Sequence, residues 1–304
     1  MTGTSTSTWS DNRRAIGWMM ASSVIFVGME LMGKQLVAID EMSPFQLLWF
    51  RAVITALLIP LLMRKSPRAM AHTAHPGKQA SRSFLIALAS ICFFTSLQTV
   101  PLADAVAIVF VSPLFLTLIA FFFLKESVGW HRWSACTVGF AGVLLIVQPG
   151  MGVRHWMYLL PLVDALVSAI YVVLTRRIGR GDSVWTSLFY NVAASAILFA
   201  LPMPWLWVSP TPDQWWLLFG TTAFGLGAHY CHIKAYSQGE SSLLAPLSYI
   251  HIAFTTVAAF LVFGTFPDLW AGAGMVLIVC AGLYVLHRET VRRGRPRPVA
   301  APAP

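Results

Sequence analysis

Residues 103–124 read ADAVAIVFVSPLFLTLIAFFFL, and Asp104 is the single charged side chain among these 22 residues. A helix needs roughly 20 apolar residues to cross the hydrocarbon core of a bilayer, so this stretch is long enough to span a membrane. Nine more apolar stretches lie near residues 14–36, 44–63, 83–100, 133–149, 155–175, 184–207, 213–236, 242–263 and 268–287. The sequence therefore predicts an all-α integral membrane protein with ten transmembrane helices, numbered here in chain order as spans 1 to 10.

The composition excludes a soluble protein. The chain of 304 residues is 57% hydrophobic and 11% charged, whereas an average soluble domain is about 25% charged. A soluble protein with this balance would expose large apolar patches and aggregate. The segments between the apolar stretches are also too short to hold a separate water-soluble domain.

The net charge of +9 reflects membrane orientation rather than nucleic-acid binding. On the opposite side from most basic residues, the loops carry one base, Arg154, together with Asp40, Glu41, Asp213 and Asp268. The other side carries Arg13, Arg14, Arg64, Lys65, Arg68, Lys78, Arg82, Lys125, Arg132, Arg176, Arg177, Arg180, Arg288, Arg292, Arg293, Arg295 and Arg297. This asymmetry predicts that both termini are cytoplasmic, with a bacterial inner membrane as the expected location. Residues 288–304 are then expected to form a cytoplasmic basic tail near anionic lipid.

The chain contains an internal repeat. Phe123, Trp130 and Gly142 lie 140 residues before the matching residues Phe263, Trp270 and Gly282. This spacing predicts two repeats of five helices each, over residues 14–149 and 155–287. Because five is odd, the second repeat must enter the membrane from the opposite side, which makes the two repeats inverted. Inverted repeats are typical of secondary transporters.

Small residues and prolines within the spans predict close packing and kinks. Glycine lets helices approach closely in lipid, and proline removes a backbone donor and bends its helix. The prolines in question are Pro113, Pro161 and Pro246. The glycines are Gly139, Gly142, Gly272, Gly274 and Gly282.

No motif for catalysis, nucleotide hydrolysis or metal binding occurs in the chain. Walker-type G-x-x-x-x-G-K-[ST], G-x-S-x-G and H-E-x-x-H patterns are all missing from the sequence. The four cysteines lie singly within predicted spans and lack metal-ligand spacing, so we interpret them as packing residues. They are Cys92, Cys136, Cys231 and Cys280. We therefore expect no enzyme activity, no cofactor and no metal site.

Charged residues inside the spans are the first candidates for a functional site. A charge at mid-bilayer costs at least about 2.5–3.5 kcal/mol, so such residues usually face a cavity or a partner. Glu30 and Lys34 share a face of span 1, either as a self-neutralising ion pair or as a gate or substrate contact. Arg51 lies at similar depth in span 2. It either binds Glu30, tying the two spans together, or binds an anionic or planar group of a solute.

The second half supplies the remaining candidates. Asp164 lies near mid-depth in span 6 and is expected either to carry a coupling proton or to hydrogen-bond a neighbouring helix. His229 and His232 share a face of span 8, and His251 follows Tyr249 by two residues in span 9. Histidine can shuttle a proton or bind a solute, although each of these side chains can equally form an interhelical hydrogen bond.

At these segments the chain resembles a known family. Residues 112–126 read SPLFLTLIAFFFLKE, residues 138–150 read VGFAGVLLIVQPG, and residues 243–278 read LLAPLSYIHIAFTTVAAFLVFGTFPDLWAGAGMVLI. The chain is similar, from about Arg14 to Glu289, to the drug/metabolite transporter superfamily, in its branch of ten-helix proteins with two EamA-type repeats. One departure concerns the Lys125–Glu126 pair. The equivalent positions of the second repeat hold Thr265 and Phe266, so this charged pair is not a duplicated site.

The resemblance implies a function. Within the superfamily the chain is similar to importers of riboflavin and of S-adenosylmethionine, so we expect a secondary transporter that takes up a small planar metabolite by alternating access. Its partners would be that solute, the lipid bilayer and, if transport is proton-driven, protons. The sequence leaves open two alternatives: an exporter of amino acids or toxic metabolites, and an integral-membrane enzyme or scaffold.

The charge asymmetry generates a topology prediction. In a variant without native cysteines, Arg295→Cys should resist a membrane-impermeant thiol reagent added to intact cells, because this residue is expected in the cytoplasm. Asp213→Cys, in a predicted external loop, should be labelled and serves as the control. Labelling of Arg295→Cys from outside would contradict the topology.

Overall fold

A computed structural model describes residues 9–63, 72–73, 75–124, 129–148, 156–178, 184–239 and 241–293. These residues form ten helical spans and no β-strand, so the predicted all-α fold is confirmed. Spans 4 and 9 each consist of two helices. The bounds are Trp9–Lys34 (continued by a π-helical turn, Gln35–Ile39), Pro44–Met63, Pro76–Ser96, Leu102–Val109 with Ser112–Leu124, Trp130–Val147, Leu159–Ile178 (after a 3₁₀ turn, Trp156–Tyr158), Val184–Ala200, Pro212–Gln238, Ser241–Leu247 with Ile250–Phe263, and Leu269–Arg293. A short helix, Met203–Leu206, lies between spans 7 and 8.

The spans differ in how clearly their own length and composition mark them as membrane helices. Four are long and apolar enough to cross on that criterion alone: Asn12–Ile39, Leu102–Phe123, Trp156–Thr175 and Leu269–His287. Four shorter apolar helices are Pro44–Ile59, Trp133–Val147, Thr186–Ala200 and Ile250–Phe263. Large apolar side chains project from the outer surface, including Phe123, which is 77% exposed, and Leu261, which is 75% exposed. Such side chains are suited to contact with lipid, as in a multi-pass membrane protein.

Local sequence signals explain where several spans begin and end. Spans 2, 3 and 8 begin at proline, which fits the first helical turn because its missing N–H would be unpaired there anyway. Thr211 caps span 8 in a capping box with Gln214. The second helix of span 9 ends at Gly264, whose φ of 65° lies in the left-handed region that glycine adopts without strain.

Helix packing follows the symmetry expected of inverted repeats. Span 1 packs on span 8, and span 3 packs on span 6. The repeat relates span 1 to span 6 and span 8 to span 3, so these two contacts are equivalent. Spans 2 and 7, 4 and 9, and 5 and 10 also pack together, and each of these pairs maps onto itself. With an even number of spans, the start of span 1 and the end of span 10 lie on one side of the helical bundle. We call it the terminal side and the opposite side the distal side.

The limits of the two repeats and of the basic tail stay predictions. Span 10 continues as a helix to Arg293, so it includes the first residues of the predicted tail, 288–304. Residues 294–304 lie outside the described residues. Lys125 and Glu126, the charged pair that distinguishes the first repeat, also lie outside them.

Spans 4 and 9 are interrupted at corresponding places, and the two interruptions meet. Span 4 breaks at Phe110, just before Pro113, and span 9 breaks at Tyr249, just after Pro246. The ring centroids of Phe110 and Tyr249 are 5.2 Å apart. Proline causes such breaks because it cannot donate the helical hydrogen bond. Two of the three predicted proline kinks are therefore confirmed, whereas Pro161 lies in the first turn of span 6, where proline is tolerated.

Spans 5 and 10 approach each other through glycine. A Cβ atom at Gly142 would lie 2.7 Å from the carbonyl oxygen of Gly274, and a Cβ at Gly274 would collide with the carbonyl oxygen of Gly142. Gly139 and Gly282 are equally crowded, by Leu114 and Tyr249. The predicted close packing is confirmed at these four positions. It is wrong for Gly272, where a Cβ would meet nothing within 4 Å.

This contact generates a stability prediction with a matched control. Gly274→Ala should destabilise the protein by about 1–3 kcal/mol, because the added methyl group overpacks a backbone contact. Gly272→Ala, two residues away in the same helix, should change stability little. Loss of monodisperse protein on size-exclusion chromatography after heating in detergent measures both effects. Equal stability of the two variants would contradict the glycine contact.

Candidate functional site

A cavity of about 900 Å³ lies between the two repeats. Its wall comes from spans 2, 3, 6, 7 and 8, and most of the exposed wall surface is apolar. The polar and aromatic lining residues used below are Arg51, Arg82, Tyr171, Asn191, His229 and Tyr230. Because spans 2 and 7 and spans 3 and 8 are related by the repeat, the cavity lies at the interface between the halves. Transporter sites commonly lie at such an interface.

Arg51 lines this cavity but does not have the partner expected from the sequence. Its Nη2 atom lies 3.0 Å from the sulfur of Met29, and its guanidinium carbon lies 5.2 Å from the centre of the Phe94 ring. Both neighbours are uncharged. The described residues form no ion pair between Arg51 and Glu30, so that partner is wrong, and Arg51 contacts span 1 through Met29 instead. Room for the guanidinium comes from Gly225, where a Cβ would lie 3.1 Å from Nη2.

Glu30 instead joins span 1 to span 9. Its Oε1 atom lies 3.0 Å from Nε2 of His251, and its Oε2 atom accepts a hydrogen bond of 3.3 Å from Thr255. The other ring nitrogen of His251, Nδ1, lies 3.2 Å from the carbonyl oxygen of Ser23. Glu30 and His251 are 7% and 8% exposed, so the pair is isolated from water.

The hydrogen-bond chemistry of this pair requires one proton between the two residues. A carbonyl oxygen only accepts, so Nδ1 of His251 must carry the proton donated to Ser23. The contact between Nε2 and Glu30 then needs one further proton, on the carboxyl group or on the imidazole. The pair therefore binds one proton, and loss of that proton would place a lone pair against a buried carboxylate.

Lys34 caps another helix rather than pairing with Glu30. Its Nζ atom donates to the carbonyl oxygens of Leu97, at 2.7 Å, and Val100, at 2.8 Å. These carbonyls follow the end of span 3, where the helix dipole favours a cation. The structure therefore does not form the Glu30–Lys34 ion pair considered from the sequence. Lys34 is not among the residues that line the cavity.

Asp164 and Tyr249 also lie outside the cavity wall. Asp164 is 7% exposed and accepts a hydrogen bond of 2.9 Å from Ser168 in its own helix. Tyr249 packs its hydroxyl group against Gly282, and this hydroxyl has no hydrogen-bond partner among the described residues. Tyr249 therefore supports the junction of the broken spans.

The three histidines surround one aromatic ring. The centroid of Phe26 lies 5.0 Å from that of His229, 6.4 Å from His232 and 6.2 Å from His251. His229 and His232 therefore share a face, as their spacing predicted. Of the three, only His229 belongs to the cavity wall. Within the described ranges, no group of His, Cys, Asp or Glu side chains is arranged to hold a metal ion.

Arg82 is a site residue that the sequence reading missed. It was assigned to the basic side of the membrane, but it lies in the second turn of span 3 and is 3% exposed. Its Nη2 atom donates to the carbonyl oxygen of Ser187, at 3.1 Å, and to Oδ1 of Asn191, at 3.4 Å. Its guanidinium carbon lies 5.3 Å from the centre of the Tyr171 ring. Span 3 starts at Pro76, seven residues before the apolar stretch begins. This proline is the sequence signal that could have placed Arg82 inside span 3.

Aromatic rings cluster at the distal ends of spans 2, 7 and 8. Phe50 packs on Trp207 and Trp215, with ring centroids 5.6 and 4.9 Å apart. Gln46, which is fully buried, exchanges two hydrogen bonds with the backbone of Val208. We call Phe50, Trp207 and Trp215 the distal aromatic cluster; Leu48 and Phe199, at the same ends of spans 2 and 7, line the cavity. The cluster links the start of span 2 to the segment between spans 7 and 8.

Relatives with curated functions are similar to the chain over most of its length. An S-adenosylmethionine uptake transporter of Rickettsia bellii is 26% identical, over 90% of this chain and 94% of the relative. A riboflavin transporter of Vibrio cholerae is 28% identical, over 82% of this chain and 84% of the relative. The pseudopaline exporter CntI of Pseudomonas aeruginosa is 30% identical, over 78% of this chain and 84% of the relative.

A solved crystal structure shares the fold, with a TM-score of 0.60 and 19% identity, over 93% of this chain and 99% of the other. The EamA-like transporter family matches residues 13–148 and again residues 155–286, which agrees with the repeated helix packing. The chain therefore belongs to the EamA-like transporter family, whose members are multi-pass membrane transporters of small metabolites.

Proposed function

We propose that this protein is a secondary transporter that takes up a small metabolite with a planar aromatic part, with riboflavin as the first candidate and S-adenosylmethionine as the second. The observation that carries the proposal is the cavity of about 900 Å³ between the repeats, which is mostly apolar and carries guanidinium, imidazole and phenol groups. Pockets of roughly 300–1,000 Å³ hold drug-sized ligands, so a flavin or adenosine fits this volume. We place the protein in a bacterial inner membrane with both termini in the cytoplasm and give it no catalytic role.

The distal aromatic cluster is the proposed gate on one side of the cavity. It closes the distal ends of spans 2, 7 and 8 through ring contacts and the Gln46–Val208 hydrogen bonds. Alternating access would require these contacts to separate while the opposite side closes. The adjoining breaks of spans 4 and 9 at Phe110 and Tyr249 are the proposed points of bending, because neither has a continuous helical hydrogen-bond ladder there.

If transport is proton-driven, we assign the coupling proton to the Glu30–His251 pair rather than to Asp164. The Glu30–His251 contact binds one proton and connects span 1 to the broken span 9. Thr255 contacts the carboxyl group, Ser23 contacts the imidazole, and Phe26 separates His251 from His229 and His232. Asp164 has a hydrogen bond to its own helix, which suits a structural role equally well.

Export is the second candidate function, because one relative of similar identity exports its solute. Nothing in the symmetric packing of the two repeats favours one direction. An enzyme or scaffold is the third possibility considered from the sequence, and the family relationship argues against it.

Uptake into proteoliposomes tests the proposed function. Purified protein should raise the uptake of radiolabelled riboflavin at least tenfold above protein-free liposomes, and an inward proton gradient should drive accumulation. Radiolabelled S-adenosylmethionine is the second solute to measure. Efflux from preloaded liposomes without uptake would support the exporter instead. Failure of both solutes in both directions would overturn the proposed substrates.

Two carboxyl-to-amide variants test the assignment of the proton. Glu30→Gln removes the group that shares the proton with His251, so it should abolish accumulation against a gradient while leaving solute exchange measurable. Asp164→Asn is the matched control, because it neutralises another carboxyl group of equal burial. Size-exclusion profiles establish that both variants fold. Normal accumulation by Glu30→Gln together with its loss in Asp164→Asn would transfer the role to Asp164.

A further inference from the structure

The cavity contains two guanidinium groups, and none of its described lining residues is acidic. We propose that it selects solutes that are uncharged or anionic and rejects cationic ones, with Arg82 and Arg51 as the residues that determine this specificity. The inference rests on the proposed transport function and narrows its substrate class. It favours a neutral planar solute with ring carbonyl groups over a sulfonium compound.

Arg82 is held in place with donor capacity to spare. Both of its recorded hydrogen bonds to acceptors, Ser187 and Asn191, come from Nη2. Its buried Nε atom has no hydrogen-bond partner in the part of the chain that the structure describes. Asn191 is itself positioned by Ser83, whose hydroxyl donates to the same Oδ1 atom at 2.9 Å. A guanidinium carries five N–H donors, and because Nη2 bonds to Ser187 and Asn191, Nη1 is the atom left to donate to an acceptor oxygen of a solute.

Arg51 has even weaker compensation for its charge. Its guanidinium contacts the sulfur of Met29 and the face of Phe94, and both groups are neutral. Glu30, which the sequence suggested as its ion-pair partner, instead forms hydrogen bonds with His251 and Thr255. Opposite charges strongly favour each other where water is excluded, so Arg51 is a second point of attraction for carbonyl, carboxylate or phosphate oxygens.

The remainder of the cavity wall suits a flat ring. Tyr171 stacks on Arg82, and Tyr230, Phe199 and several aliphatic side chains complete the surface. A sulfonium group placed here would be the third positive charge in the cavity and would meet no carboxylate of the described lining. Like charges in a partly desolvated site repel, which predicts weaker binding of S-adenosylmethionine.

Binding to the purified protein in lipid nanodiscs tests the inference separately from transport. S-adenosylmethionine and S-adenosylhomocysteine form a matched pair, because they differ by the methyl group that makes the sulfur cationic. The inference predicts that S-adenosylhomocysteine binds at least tenfold more tightly, and that riboflavin binds measurably by quenching of its fluorescence. Equal or tighter binding of S-adenosylmethionine, or no binding of the other two compounds, would overturn it. Failure of the transport function would appear instead as absent uptake in proteoliposomes despite normal binding.

Variants of the two arginines identify the residues responsible. Arg82→Gln and Arg51→Gln should each weaken riboflavin binding about tenfold and reduce the preference for S-adenosylhomocysteine. Arg82→Lys keeps the charge but loses the planar donor group, so it should keep the preference while weakening affinity. Arg13→Gln, an exposed arginine near the start of span 1, is the control and should bind like the native protein. Native affinity and unchanged preference in both glutamine variants would overturn the assignment. If one of them fails to fold, the other and the matched pair of compounds still decide the question.

Discussion

Every backbone amide and carbonyl group placed in hydrocarbon must find its hydrogen-bond partner within the protein, because lipid offers none. This requirement explains why the described residues form helices and why their two mid-membrane interruptions occur where protein surrounds them. At the break in span 4, Val111 is fully buried, and its carbonyl oxygen accepts bonds from Leu114 and Phe115. At the break in span 9, the amide of His251 bonds to Ser248. The two breaks pack against each other through the rings of Phe110 and Tyr249.

Charged side chains within the spans must also find partners inside the protein, and each finds a different kind of partner. Lys34 binds the carbonyl oxygens at the end of span 3, and Glu30 shares a proton with His251. Asp104 accepts a hydrogen bond of 3.0 Å from Tyr158. These three arrangements stabilise contacts between spans. Arg51 and Arg82 differ because they line a cavity, which is where an unneutralised charge can serve recognition.

Symmetry of the fold does not extend to the chemistry of the site. The packing of spans repeats after five helices, yet the proton-binding pair joins spans 1 and 9, and no equivalent pair is recorded for spans 6 and 4 within the described residues. The carboxyl group of span 6, Asp164, is not at the position equivalent to Glu30 and bonds to Ser168 of its own helix. A duplicated scaffold with unduplicated side chains is expected of a carrier that binds an asymmetric solute, since the two halves then provide different contacts.

The sequence by itself determined the ten helical spans and the repeat. These features depend on hydrophobic length and on periodicity, which are local properties of the chain. It also identified Glu30, Arg51 and the histidines as residues of interest, because a buried charge is costly wherever it lies. Only the tertiary structure decided their partners. Lys34 is four residues from Glu30 but reaches span 3, His251 reaches Glu30 from 221 residues away, and Arg82 enters the cavity although its sequence position suggested the membrane surface. Partner choice depends on how helices rotate and pack, and an apolar helix in lipid has no hydrophobic face that would reveal its orientation from sequence.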